Sequence, residues 1–211
     1  MRLRFAVACA SIFFLPVAGA AAPATGYTDL ERFLDGAQSV TARFSQEIVD
    51  SNGRVLETAT GRLQLQRPGR FRWDYRSPYE RVVLADGERL WLYEADLEQV
   101  TVRRLVDGLG ETPAALLTGD RRMLERFEVV STWAGENARW VRLKPRATDS
   151  DFESVAVAFA GDKPVEIEFQ DRLGQQTRIR LTEVRLNARI DAAAFRFVAP
   201  PGVDVIREDE L

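Results

Sequence analysis

Carboxylates are the main candidates for chemistry in this 211-residue chain. Asp50, Asp86, Asp96 and Glu98 could in principle supply the acid–base pair that glycoside hydrolysis needs. Most of them sit in turn-forming contexts, where aspartate satisfies local backbone amides instead. Other catalytic side chains are scarce. There is no histidine, and the one cysteine, Cys9, lies near the N-terminus. Ser-His-Asp triads, Cys/His zinc sites, disulfides and a cysteine nucleophile beyond that position are thereby excluded. The two lysines, Lys144 and Lys163, belong to no S-x-x-K motif, so a Ser-Lys hydrolase lacks its base. The composition points to a binding protein rather than an enzyme, with no metal and no cofactor.

Aromatic residues carry the stronger pattern. From Gly61 to Tyr93 the period is two: Leu63 and Leu65 alternate with Arg62, Gln64 and Gln66. After a Pro68-Gly69 turn, Phe71, Trp73 and Tyr75 alternate with Arg70, Arg72, Asp74 and Arg76. Successive strand side chains point to opposite faces, so one face is apolar and aromatic while the other is charged. An apolar sheet face must be covered by a second layer or by a ligand. Two readings stand for Phe71, Trp73, Tyr75, Trp91 and Tyr93: an ordinary core, or the lining of a cavity for an apolar ligand.

The elements that must hold this face can be read from period and punctuation. Thr28-Asp29-Leu30-Glu31 fits a capping box, which predicts an amphipathic helix over 28–38 with Thr28 as its N-cap. From Val40 the period changes to two, and Asn52-Gly53 signals a hairpin. Strands are predicted to 66, over 70–76, 80–85, 90–93 and near 97–103, with Asp86-Gly87 as one of the turns. They resume at about 127–132, 138–144, 153–159, 165–170 and 176–186. Between these groups Thr112-Pro113 gives an N-cap and first-turn proline for one short helix through Leu116 and Leu117. So short a helix depends on docking. Asp191 can cap a helical turn over 192–194. About 10–11 short strands with hairpin spacing predict a mainly β (α+β) antiparallel sandwich or barrel.

The first residues read as an export signal: Met-Arg-Leu-Arg, an apolar run from Phe5 to Val17, then small residues through Ala22. The run is too short to span a bilayer. Cleavage after Ala20 leaves residues 21–211 as a single domain, soluble and exported. Without Arg2 and Arg4 the balance is 27 basic to 32 acidic residues, a net charge of −5. Such a chain has no general affinity for nucleic acid or anionic lipid.

Several of these motifs together resemble the LolA family of periplasmic outer-membrane lipoprotein carriers. The resemblance is carried by Arg67-Pro68, Phe71, Trp73, Asp86-Gly87 and Leu90-Trp91-Leu92-Tyr93. Phe44-Ser45-Gln46, Thr112-Pro113, Leu116-Leu117 and the ending Phe195-Arg196-Phe197 with Pro200-Pro201-Gly202-Val203 fit it as well. It implies an incomplete, strongly curved antiparallel β-barrel closed by a short helical lid. The implied acyl-chain cavity is lined by Phe44, Leu63, Leu65, Phe71, Trp73, Tyr75, Trp91 and Tyr93. The implied lid contains Pro113, Leu116 and Leu117, and the family's tethering arginine falls on Arg67. The implied partners are acylated lipoproteins, an inner-membrane lipoprotein-releasing ABC transporter and an outer-membrane lipoprotein receptor, with the carrier itself a monomer. Two alternatives remain at this point. One is a related half-barrel that senses or binds lipid without shuttling it. The other is a periplasmic hydrolase with a convergent carboxylate pair.

Overall fold

A computed structural model describes residues 25–105, 117, 121–148 and 150–208. The period-two segments form one twelve-stranded sheet. Its strands are β1 (Ser39–Val49), β2 (Val55–Gln66), β3 (Arg70–Ser77), β4 (Arg81–Asp86), β5 (Arg89–Glu94) and β6 (Gln99–Arg104). The remainder are β7 (Phe127–Ala134), β8 (Arg139–Pro145), β9 (Phe152–Ala160), β10 (Lys163–Asp171), β11 (Gln176–Leu186) and β12 (Asp204–Arg207). The spatial order is β12-β6-β5-β4-β3-β2-β1-β11-β10-β9-β8-β7. Neighbours are antiparallel except β12, which adds parallel to β6. The sheet is strongly curved but does not close, since β7 and β12 stand at opposite ends. The curved antiparallel sheet matches the expected architecture. The strand count exceeds the expected 10–11 by the short, exposed β12, whose four residues show no alternation.

The turns follow from their residues. Gly53, Gly69, Gly87 and Gly174 all have positive φ, a region that costs other L-residues energy. In the first hairpin the Asp50 carboxylate accepts from the Asn52 and Arg54 amides, closing the turn the Asn-Gly pair signalled.

Among the described residues one α-helix precedes the sheet: α1, Gly26–Gly36. It starts earlier than the expected 28, and Thr25, not Thr28, is its N-cap. Thr25 Oγ1 accepts from the Thr28 amide at 3.3 Å, so Thr28 supplies a capped N–H instead of doing the capping. Gly26 allows this early start. A Cβ there would lie 2.2 Å from the backbone carbonyl of Trp140, so the helix begins flush against β8.

α1 covers one face of the sheet, here called the inner face. Leu30, Phe33 and Leu34 pack there with Val40, Phe44, Leu63, Trp73, Val157 and Phe159 in one continuous core. The outer face has a smaller apolar layer. Trp91 stacks on Phe197 with ring centroids 5.5 Å apart, and Tyr93 meets the same ring at 5.8 Å. Trp91 pairs with Leu84 and Val102 in the ladders, and Tyr93 with Val100. The expected grouping of Trp91 and Tyr93 with Trp73 is therefore corrected. Trp73 faces the same way as Val83 and Leu92. β5 is apolar on both faces because Leu90 and Leu92 enter the inner core while the C-terminal segment covers the aromatics.

Candidate functional site

The inner face between β1, β2 and β3 is lined by Phe44, Leu63, Leu65, Phe71 and Trp73, all buried. Register explains the convergence: Ala42, Leu63, Trp73, Val83 and Leu92 form one row across five strands. Phe44 sits against Trp73 at 5.1 Å and edge-on to Tyr75 at 5.0 Å. Gly61 makes room for the Phe44 ring, as a Cβ at that position would lie 2.7 Å from it. Tyr75, half-buried in the neighbouring row of Phe44 and Gly61, donates its hydroxyl to Gln46 Oε1 at 3.2 Å. Burial pushes the Tyr75 phenol above its ordinary value despite the Arg81 guanidinium stacked 4.2 Å from its ring centre. The phenol therefore stays neutral and able to donate.

α1 fills this face. Phe33 is 2 % exposed and Leu30 fully buried, and Leu117 joins the same cluster from the other side of the chain. A ligand can reach the row of Leu63 and Trp73 only if α1 or Leu117 moves aside. Of the expected lid residues, Pro113 and Leu116 lie outside the described residues.

Arg67 joins the covering pieces. It follows β2 directly, and its amide donates to Gln38 O at 2.9 Å. Its Nη1 faces the carbonyls of Phe33 and Leu34, each at 3.1 Å, and of Ala37. Its Nη2 donates to Leu117 O at 2.9 Å. The guanidinium also lies over the Phe33 ring, 4.9 Å from its centre. The last carbonyls of a helix lack intrahelical partners and carry partial negative charge. α1 has no basic residue in its own last turn, and Arg67 supplies the cation from another element. The sequence pattern did not reveal this bond to α1, because nothing in the spacing of 28–38 says where the helix end lands.

The N-terminal half of α1 is held differently. Asp29 is fully buried, accepts from Arg139 Nε and Nη2 at 2.5 and 2.9 Å, and from Arg32 Nη2 at 2.7 Å. Among the described residues it is the buried carboxylate, and it is committed to two guanidiniums, not to a second acid. The Asp29 hydrogen bonds to the Arg139 guanidinium raise the arginine above its ordinary value. In the sequence Asp29 reads only as a first-turn residue, because its partner stands 110 positions away. Asp29→Asn is expected to loosen α1 without unfolding the sheet, since an amide cannot replace the paired charge. Hydrogen exchange should show α1 amides opening about tenfold faster with β9 and β10 unchanged.

Residues 35–198 match the family described as outer membrane lipoprotein carrier protein LolA. The chain is 38% identical over 201 residues to an outer-membrane lipoprotein carrier protein of Nitrosospira multiformis, covering 95% of this chain and 97% of the relative. It is 41% identical over 210 residues to the protein of that name from Alkalilimnicola ehrlichii, covering 98% and 95% respectively. Among solved structures, an uncharacterized conserved protein from Thermus thermophilus shares the fold, with TM-score 0.52 and 14% identity over 86% of this chain and 96% of its own.

Proposed function

Because the chain belongs to the family of outer membrane lipoprotein carrier proteins, we propose that it takes lipoproteins from an inner-membrane ABC transporter and delivers them to an outer-membrane receptor. Carrying lipoproteins is the family's function and this chain's. In the fuller reading, residues 1–20 direct export and residues 21–211 act alone in the periplasm as one carrier domain. Acyl chains lodge on the inner face, against Phe44, Leu63, Leu65, Phe71, Trp73 and Tyr75. α1 and a lid of Pro113, Leu116 and Leu117 withdraw to admit them, and Arg67 ties both down when the carrier is empty.

The observation that carries this reading is an apolar face covered by a helix whose far end is fastened by one side chain. Exposing acyl chains to water costs about 0.8 kcal/mol per CH₂, so a multiply acylated anchor costs tens of kcal/mol. A surface patch leaves most of that exposed, whereas an enclosed inner face removes it. Displacing α1 exposes the Leu30, Phe33 and Leu34 side chains, but the acyl chains replace them against the sheet. The exchange is apolar for apolar. That keeps loading close enough to balance for a small bias to direct it.

The test is competitive. Purified protein should bind an environment-sensitive apolar dye, and acylated lipoprotein should displace it while the same lipoprotein without acyl chains should not. Failure to bind dye or acylated cargo would mean that the inner face is permanent core.

A further inference from the structure

On the outer face, β11, β1, β2 and β3 form a groove of about 500 Å³ that contains Arg43, Arg62, Arg72, Arg76 and Arg185. Two carboxylates share it. Asp74 is held by Arg72, whose Nε lies 2.8 Å from one oxygen and 2.9 Å from the other. Glu183 is held by Arg43 at 3.1 Å. Arg62, Arg76 and Arg185 have no carboxylate partner among the described residues. The groove is thus locally positive on a chain whose formal net charge is −3.

The ladder register makes this arrangement unfavourable by itself. Arg43 stands directly opposite Arg62 across β1 and β2. Like charges directly opposite in a sheet repel and destabilise it. Glu183 adds strain: its φ is +52°, in the left-handed region, within a bulge where Glu183 and Val184 oppose Ala42. That bulge brings Glu183 to Arg43 but leaves Arg62 without an anion.

We propose that this groove is a docking site for an extended, acidic polypeptide segment of a partner protein. Arg62 faces Arg43 and Arg185 faces Thr41, so the two lie two strands apart and two residues apart along them, a separation of about 12 Å. Alternate side chains of an extended segment repeat every 6.5 Å or so, and carboxylates four residues apart can therefore meet both guanidiniums, each of which can pair with a carboxylate through two N–H donors. Thr41 and Gln64 supply the floor between the charges, with the strands at Ala42 and Leu63, whose side chains point to the inner face, beneath them. A bilayer surface fits less well, because the arginines line a recess while the chain as a whole is acidic. The site lies on the sheet face opposite the one proposed to hold acyl chains, so cargo and partner segment can be bound together.

The experiment uses the full mature protein and a short fluorescein-labelled peptide alternating glutamate and serine, read by anisotropy at low salt. Wild type should bind it, bind less as salt rises, and ignore the matching lysine–serine peptide. The triple variant Arg62→Gln, Arg76→Gln, Arg185→Gln should bind about tenfold more weakly or worse. Its melting temperature should stay level or rise, because the Arg43–Arg62 repulsion is relieved. Phosphatidylglycerol vesicles form the second arm. Absence of peptide binding by wild type, equal binding by the variant, or arginine-dependent binding to vesicles in place of peptide would each overturn the proposal.

Discussion

Arg67→Leu is expected to give a carrier that folds and loads lipoprotein but passes it on poorly. The wild-type guanidinium fastens two separate coverings at once, the carbonyl end of α1 and the Leu117 carbonyl. Hydrogen bonds from a charged donor contribute roughly 1.5–3 kcal/mol each, and a two-state cover needs a comparable bias to shift. Losing about 2 kcal/mol of closed-state preference would raise the ratio of open to closed forms roughly thirtyfold. An open carrier accepts acyl chains readily. It gives them up less readily, because closure no longer competes with cargo for the inner face. Release from inner-membrane vesicles should therefore proceed at the wild-type level while transfer to receptor-bearing outer membranes falls about tenfold or more. Arg67→Lys should lie between the two, since the charge remains but the planar fork that spans two acceptors is lost. Equal transfer by wild type and Arg67→Leu would mean that the arginine is only structural.

The second large effect is expected at Gly61, in the middle of β2. A single methyl there would sit 2.0 Å from the backbone oxygen of Asp74 and 2.7 Å from the Phe44 ring. The ring could rotate away; the β3 backbone could not without breaking the ladder that aligns Leu63 with Trp73. Gly61→Ala is therefore predicted to destabilise the fold by about 3 kcal/mol, the upper end of ordinary overpacking. That is a large share of the 5–15 kcal/mol typical of a domain. Urea unfolding monitored by tryptophan fluorescence would measure it as a lower midpoint at unchanged slope. A midpoint equal to wild type would show that β2 and β3 can separate locally at little cost.

The strands were legible because alternation is a local signal, and eleven of the twelve lie near where period and turn residues placed them. Alternation says which side chains share a face within a strand. It does not say which face is inner when both are apolar, and β5 is such a strand. Leu90 and Leu92 go in, while Trp91 and Tyr93 go out beneath Phe197, a residue more than 100 positions later. β12 was illegible for a different reason: four exposed residues in parallel pairing have no periodic contrast. The N-cap is Thr25 and not the expected Thr28, because both threonines suit the role and Gly26 meeting β8 decides between them. At the site, the shared face of Leu63, Phe71 and Trp73 could be read from spacing, while Phe44 joined them only through the family resemblance. The use of α1 as its cover could not, since an apolar stripe on a helix does not name the surface it will meet.

The unclosed sheet has a mechanical consequence. In a closed barrel every strand is bonded on both sides, so strand number and shear fix the circumference. Here β7 and β12 are free of one another, and the ladder has a seam. The arc can open or tighten by small changes in twist at each of its joints without parting any pair of strands. With cargo held on the inner face as proposed above, the interior is then adjustable in girth, like a split ring, and the same twelve strands suit a thin load or a bulky one with their hydrogen bonds intact.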